Sequence, residues 1–234
     1  MLKINSNNRV ARLAGFLYLL LAITGTFPFY VEKKLIEFGN PLKTVENILA
    51  SEMLFKGSIV SELIMAIIWV LIAISLYVLF RKVSRNIALL MLSLVLVGGA
   101  IVSISVICQV GALIMVKNAS GSLAAFNGSQ INAMTMFLLN LSLYSTIANF
   151  LCMGLWMFPF SYFVIKSEYF PKSIGIIWGI LLIAGGLGYL VDFFTFFLLP
   201  EYYISVTEFA FAGDLFSLLW LLIKGTSVPD ASIT

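Results

Sequence analysis

The chain has 234 residues, of which 61% are apolar and 11% charged, and it contains no histidine. Its mean hydropathy is +1.06. Soluble domains run at about 45–50% apolar and about 25% charged residues, and disordered chains combine low hydrophobicity with high net charge, so neither class fits. The missing His removes the commonest general base, pH switch and metal ligand together. What remains is an all-α polytopic membrane protein.

In chain order, six windows carry almost no charge: 13–31, 57–80, 86–116, 132–165, 174–199 and 206–223. Each approaches or exceeds the roughly 20 apolar residues that a spanning helix needs. In hydrocarbon the backbone must pair within the segment, which makes such windows helices, and the short alternating segments of a membrane β-barrel are absent. The expectation is six transmembrane helices in one bundle, forming a single membrane domain over residues 1–234. The first window follows Lys3, Arg9 and Arg12 but runs on through Gly25, Pro28 and Tyr30 without a small-residue cleavage site, so it reads as an uncleaved helix. No linker, low-complexity tract or inverted repeat divides the chain.

Between the first two windows, Asn40-Pro41 is a good helix start, because proline at the first helical position loses no hydrogen bond. Leu42, Val45, Leu49 and Met53 then recur at helical spacing among Lys43, Glu46, Asn47 and Glu52. This predicts a short external amphipathic helix over about 41–55, lying on the membrane surface or packing as a cap. The connection 117–131 is small and polar and reads as a flexible loop. Its Asn118-Ala119-Ser120 and Asn127-Gly128-Ser129 match a glycosylation pattern that means little outside a secretory context.

Lysine and arginine set the orientation. Lys3, Arg9, Arg12, Arg81, Lys82, Arg85, Lys166, Lys172 and Lys224 fall on one side, against Lys33, Lys34, Lys43, Lys56 and Lys117 on the other. The positive-inside rule places both termini in the cytoplasm. The net charge of +3 follows from this bias, and no basic, aromatic-studded surface suggests nucleic acid. Cys108 and Cys152 both fall inside windows and read as buried free thiols.

The charges inside the windows are Glu62, Asp192, Glu208 and Asp214. Acids within a membrane are expensive and mark candidate sites. Helical spacing aligns Gly185, Gly188, Asp192 and Thr195 on one helix, and Thr207, Ala210, Asp214 and Ser217 on another. It also aligns Gly98, Ser105, Gln109 and Ala112, and Ser142, Ser145, Asn149, Cys152 and Trp156, with Asn140 on a neighbouring face. Small residues allow close helix approach, so these stripes should face protein. Two readings follow. In one, the acids are structural hydrogen-bonding groups of an interaction or regulatory membrane protein. In the other, Asp192, Asp214 and Glu62, with Gln109 and Asn140, form an outward-half site for a proton, a cation or a polar or cationic ligand of a small transporter or binding protein. The oxygen donors would suit hard cations. No cofactor is expected, and the partner is the lipid bilayer. Catalysis is disfavoured because serine and cysteine have no His base, and Gly175 and Gly179 form a G-x-x-x-G packing pair rather than a phosphate loop.

Several segments have a family look: Asn8-Arg9-Val10-Ala11-Arg12-Leu13-Ala14-Gly15-Phe16-Leu17-Tyr18-Leu19, Asn47-Ile48-Leu49-Ala50-Ser51-Glu52 with Leu54-Phe55, Gly188-Tyr189-Leu190-Val191-Asp192, and Gly213-Asp214 followed by Leu219-Trp220-Leu221-Leu222-Ile223-Lys224-Gly225. From about Asn8 to Gly225 the chain resembles a bacterial membrane-protein family catalogued as domain of unknown function 4386. The resemblance implies six helices and a bacterial cytoplasmic-membrane location. It also implies an acid at Asp214 and an acid or polar residue at Glu62, and it supplies no activity.

Overall fold

The computed structural model describes residues 6–117, 125–203 and 205–226. The expected loop sequence Asn118-Ala119-Ser120 lies outside them. The described residues form seven α-helices and one short 3-10 turn: α1 Ser6–Leu35, α2 Pro41–Ala50, α3 Glu52–Phe80, α4 Arg85–Lys117, α5 Gly128–Lys166, α6 Lys172–Leu198, the turn Pro200–Tyr202, and α7 Thr207–Ile223.

Five of these helices, α1, α3, α4, α5 and α6, are long and apolar enough to cross a membrane, so the chain is an all-α polytopic membrane protein. The expected count of six is reduced to five on this measure. With 17 residues, α7 rises only about 25 Å, less than the roughly 30 Å hydrocarbon core. The five long helices outrun the uncharged windows. α1 continues past the apolar run through Glu32, Lys33 and Lys34 to Leu35, because long charged side chains at a helix end can keep their heads in water while the backbone stays helical.

The amphipathic helix also differs from the predicted 41–55. Asn40 Oδ1 accepts the Lys43 N–H at 3.1 Å and caps α2, but the helix ends at Ala50. The Ser51 N–H returns to the Asn47 and Ile48 carbonyls, and the Ser51 carbonyl accepts from Leu54 and Phe55 as α3 begins. Ser51 therefore closes one helix and opens the next.

The chain divides into two compact units. The first comprises residues 1–21, 67–99 and 147–234. Its core is aromatic. Phe80 stacks on Phe163 at 4.6 Å between ring centroids, Phe170 meets Trp178 edge-on at 4.9 Å, and Trp156, Phe160 and Trp178 are fully buried. Glycines bring the backbones of α5 and α6 together: a Cβ on Gly154 would lie 2.7 Å from the Gly186 carbonyl oxygen. Of the Gly175 and Gly179 pair, Gly175 meets the Val164 carbonyl and Gly179 the Ile165 side chain, as its packing role predicts. At the far end of α7, Gly225 adopts φ +65°, the left-handed conformation that terminates helices. The Asn8 side chain accepts the Thr226 N–H at 3.1 Å, and Arg12 donates to the Ile223 carbonyl at 3.3 Å. The Asn8–Arg12 and Lys224–Gly225 segments thus form one junction, with a cation at a helix C-terminus where its charge is favoured.

The second unit comprises residues 22–66 and 100–146. Val31, Leu35, Val45, Ile48, Phe55, Ile59, Val106, Val116 and Leu139 form its core. Pro28 lies inside α1 and has no N–H for the Thr24 carbonyl four residues back. The Ser61 hydroxyl of α3 donates to that carbonyl at 2.9 Å instead, which meets the requirement that intramembrane backbone groups be satisfied.

Candidate functional site

The expected polar residues distribute between the two units: Glu62, Gln109 and Asn140 in the second, Asp192 and Asp214 in the first.

In the second unit, α3 presents Glu62, α4 presents Ser105 and Gln109 one turn apart, and α5 presents Ser142. Gln109 Nε2 donates to Glu62 Oε2 at 2.6 Å and to Ser142 Oγ at 3.2 Å. Ser105 and Ser142 share a hydrogen bond of 2.8 Å. One helical turn along α5, the Ser145 hydroxyl donates to the Ile101 carbonyl of α4 at 2.8 Å. The small-polar stripes predicted on α4 and α5 therefore do face protein, and Ser105 is completely buried. Asn140 is half-buried and lies apart from this network.

These groups border a partly open cavity of about 30 Å³, above the roughly 10–15 Å³ that admits water. Glu62, Gln109, Ser58 and Ser142 supply polar walls, and Pro28, Ile36, Phe38, Phe55 and Leu139 supply apolar ones. Ser58 donates to the Phe55 carbonyl at 2.7 Å. The wall also contains a second acid, Glu32, which the uncharged-window criterion assigned to a loop. Its signal was present in the sequence: Val31 and Leu35 continue the apolar period of α1 beyond its first charges, and both are buried. Continuing the helix by four residues from Pro28 places Glu32 on the same face. Among the described residues, no lysine or arginine lines this cavity.

In the first unit the acids are arranged differently. Asp192 of α6 has no solvent exposure. Its Oδ1 accepts the Val206 N–H at 2.8 Å, and its Oδ2 accepts from the Ser205 hydroxyl at 3.2 Å. Asp192 thereby holds the segment entering α7. Asp214 of α7 acts electrostatically on two buried phenols, Tyr18 of α1 and Tyr189 of α6. Nearby, the Trp178 indole donates to Ser217 Oγ at 2.8 Å, and Ser217 donates to the Gly213 carbonyl at 2.7 Å. The Tyr18 hydroxyl is 2% exposed and lies near Ser217. Sequence reading missed both tyrosines because a phenol among aromatic core residues carries no periodic signal of its own.

Cys108 and Cys152 are free thiols. Among the described residues, no three Cys, Asp or Glu side chains gather as a metal-binding group.

Comparison with known proteins matches residues 13–225 to the family described as Domain of unknown function (DUF4386). The chain is also similar to an uncharacterized protein of Archaeoglobus fulgidus, 27% identical over 177 residues that cover 76% of this chain and 89% of that protein. That relative is archaeal, so similarity alone does not confine the chain to bacteria. No solved structure matches.

Proposed function

The chain belongs to the DUF4386 family, which is defined without an activity, and from the polar cavity we propose that it is a membrane protein that binds one proton or one monatomic cation at Glu62, with Glu32 as the second acid. The observation that carries this reading is that two carboxylates line one small polar cavity with no cationic side chain among the described residues of its wall. Like charges that face one cavity repel unless a proton or cation is shared between them. Lys33, next to Glu32 in sequence, acts on it electrostatically from outside the cavity wall, and its ammonium sits over the Phe29 ring at 4.3 Å. Carboxylate, amide and hydroxyl oxygens suit a hard monovalent ion.

In this reading α7 is a short sixth crossing, both termini are cytoplasmic, α2 is external and the membrane is the cytoplasmic one. The lysine and arginine distribution supports that orientation. The site is assigned binding rather than catalysis. The alternative of an interaction or regulatory protein draws its support from Asp192, whose carboxylate is bonded by its own chain.

The test is a thermal-stability series on the purified protein, from pH 5 to 8, in sodium, potassium, lithium or choline chloride. The parent, Glu62→Gln and Glu32→Gln are compared. The reading expects a cation- or pH-dependent shift in the parent that Glu62→Gln abolishes and Glu32→Gln weakens. A shift that survives unchanged in Glu62→Gln would place the responsive group elsewhere and sink the proposal.

A further inference from the structure

α2 has two faces, and only one is explained by the protein. Thr44, Val45 and Ile48 are buried. The Thr44 hydroxyl donates to the Glu37 carbonyl at 3.2 Å and accepts the Glu37 N–H at 3.0 Å, and the Asn47 amide donates to the Leu35 carbonyl at 3.2 Å. That face fastens the helix to its own unit. Leu42 and Leu49, seven residues apart, lie within about 20° of each other around the helix, and they are 57% and 52% exposed. Met53, at the start of α3, is 77% exposed. The predicted stripe Leu42–Val45–Leu49–Met53 is therefore divided, with Val45 in the core and the other three outside it. Lys43 lies about 100° round from Leu42 and pairs with Glu46 at 4.0 Å, which draws that carboxylate to the charged flank. The outward surface of α2 thus has an apolar flank and a charged flank.

The same unit carries a marker of the membrane–water boundary. At the end of α1, Lys33 sits over the Phe29 ring at 4.3 Å and Lys34 over the Tyr30 ring at 5.8 Å. Exposed aromatics followed by lysines at the end of an apolar helix are the usual composition of an interfacial belt. α2 follows that belt directly in the chain, so its apolar flank continues an interface that the spanning helix has already set. From Glu32 to Lys56 the charges balance, with Glu32, Glu37, Glu46 and Glu52 against Lys33, Lys34, Lys43 and Lys56.

We propose that Leu42, Leu49 and Met53 insert into the boundary between lipid headgroups and acyl chains, so that α2 is a membrane-surface helix held to its unit on one side and to lipid on the other. Because the local charge balances, the contact is apolar and independent of anionic lipid. The anchored segment is the one whose approach, at Ile36 and Phe38, walls the acidic cavity.

The test uses the full chain with Cys108 and Cys152 replaced by alanine, carrying a nitroxide label at Leu42→Cys, Leu49→Cys, Met53→Cys or Lys43→Cys. Each variant is reconstituted in phosphatidylcholine bilayers with and without phosphatidylglycerol. The expected result is a ratio of oxygen to nickel-chelate collision several-fold higher at 42, 49 and 53 than at 43, unchanged by phosphatidylglycerol. Equal chelate access at all four sites would put the flank in water and overturn the proposal. Shielding of 42, 49 and 53 from both reagents would mean that protein covers the flank, and would overturn it as well. Hydroxyl-radical oxidation of native Met53 in the unlabelled protein checks the outcome without substitution: bilayer nanodiscs should suppress it several-fold relative to a short-chain detergent that leaves the interface open. Undiminished oxidation in nanodiscs would count against lipid contact.

Discussion

Asp192 in the first unit and Glu62 in the second are both buried carboxylates on long apolar helices, and they do different work. Both oxygens of Asp192 are taken by donors from the segment that leads into α7. Glu62 accepts a hydrogen bond from the Gln109 side-chain amide and borders a cavity shared with a second acid. An intramembrane acid is costly in either case. What separates a structural acid from a candidate site is where its lone pairs go: to the chain's own N–H and O–H groups, or into a space that something else can occupy.

The largest test of that contrast is Asp192→Ala. It leaves the half-buried Val206 N–H and the Ser205 hydroxyl without their acceptor and should cost about 1.5–3 kcal/mol, read as a fall in melting temperature with any cation response intact. An Asp192→Ala protein of parental stability that had lost its cation response would reverse the assignments of the two acids.

Next in size is a comparison of glycines. Gly154→Ala would drive a methyl group into the Gly186 carbonyl and should cost about 1–3 kcal/mol, as overpacking does. Gly111→Ala in the second unit meets only the end of the Leu138 side chain, at 3.3 Å. Its effect should be clearly smaller in the same thermal melt. Equal losses would erase the distinction between backbone-to-backbone packing in one unit and side-chain packing in the other.

Ser142→Ala sharpens the description of the cavity. It removes a hydroxyl bonded to both Ser105 and Gln109 and should cost about 1 kcal/mol. It should also weaken the cation-dependent shift several-fold if that hydroxyl orients Gln109 toward Glu62. An unchanged shift would detach Ser142 from the site.

The smallest effect should come from Glu52→Gln. Glu52 pairs with Lys56 one turn along α3 and with Lys117 of α4, the latter at 2.8 Å. All three side chains are partly exposed, so the pairs are screened by water and salt. The difference from the parent should be slight in dilute buffer and vanish in molar salt. A large, salt-resistant loss would make this cluster a real brace of the second unit.

Much of this architecture was legible in the residue pattern, for identifiable reasons. Uninterrupted apolar length located the spans, because the bilayer thickness converts directly into residues. Small-polar periodicity placed Ser105, Gln109 and Ser142 on inward faces, because lipid does not reward polar side chains. Other features were not legible. Glu32 looked like a loop charge because its carboxylate lies beyond the uncharged window, although α1 continues past it. The split of the 41–55 segment depends on the backbone turn at Ser51, which no apolar period announces. Leu42 and Val45 share a helical stripe, yet one is exposed and the other buried. A stripe marks a direction around a helix, whereas burial depends on which neighbour stands in that direction.

By itself the sequence determined that this is an all-α membrane protein with a few acids among apolar helices, since hydrophobicity and helix rise are local properties that need no knowledge of neighbours. Tertiary structure alone decided what each acid does. Whether a buried carboxylate meets a backbone N–H, as Asp192 does, or borders a cavity together with a second carboxylate, as Glu62 does, depends on residues far away in the chain. Hydrogen bonds and cavities form between such residues only when packing brings them together.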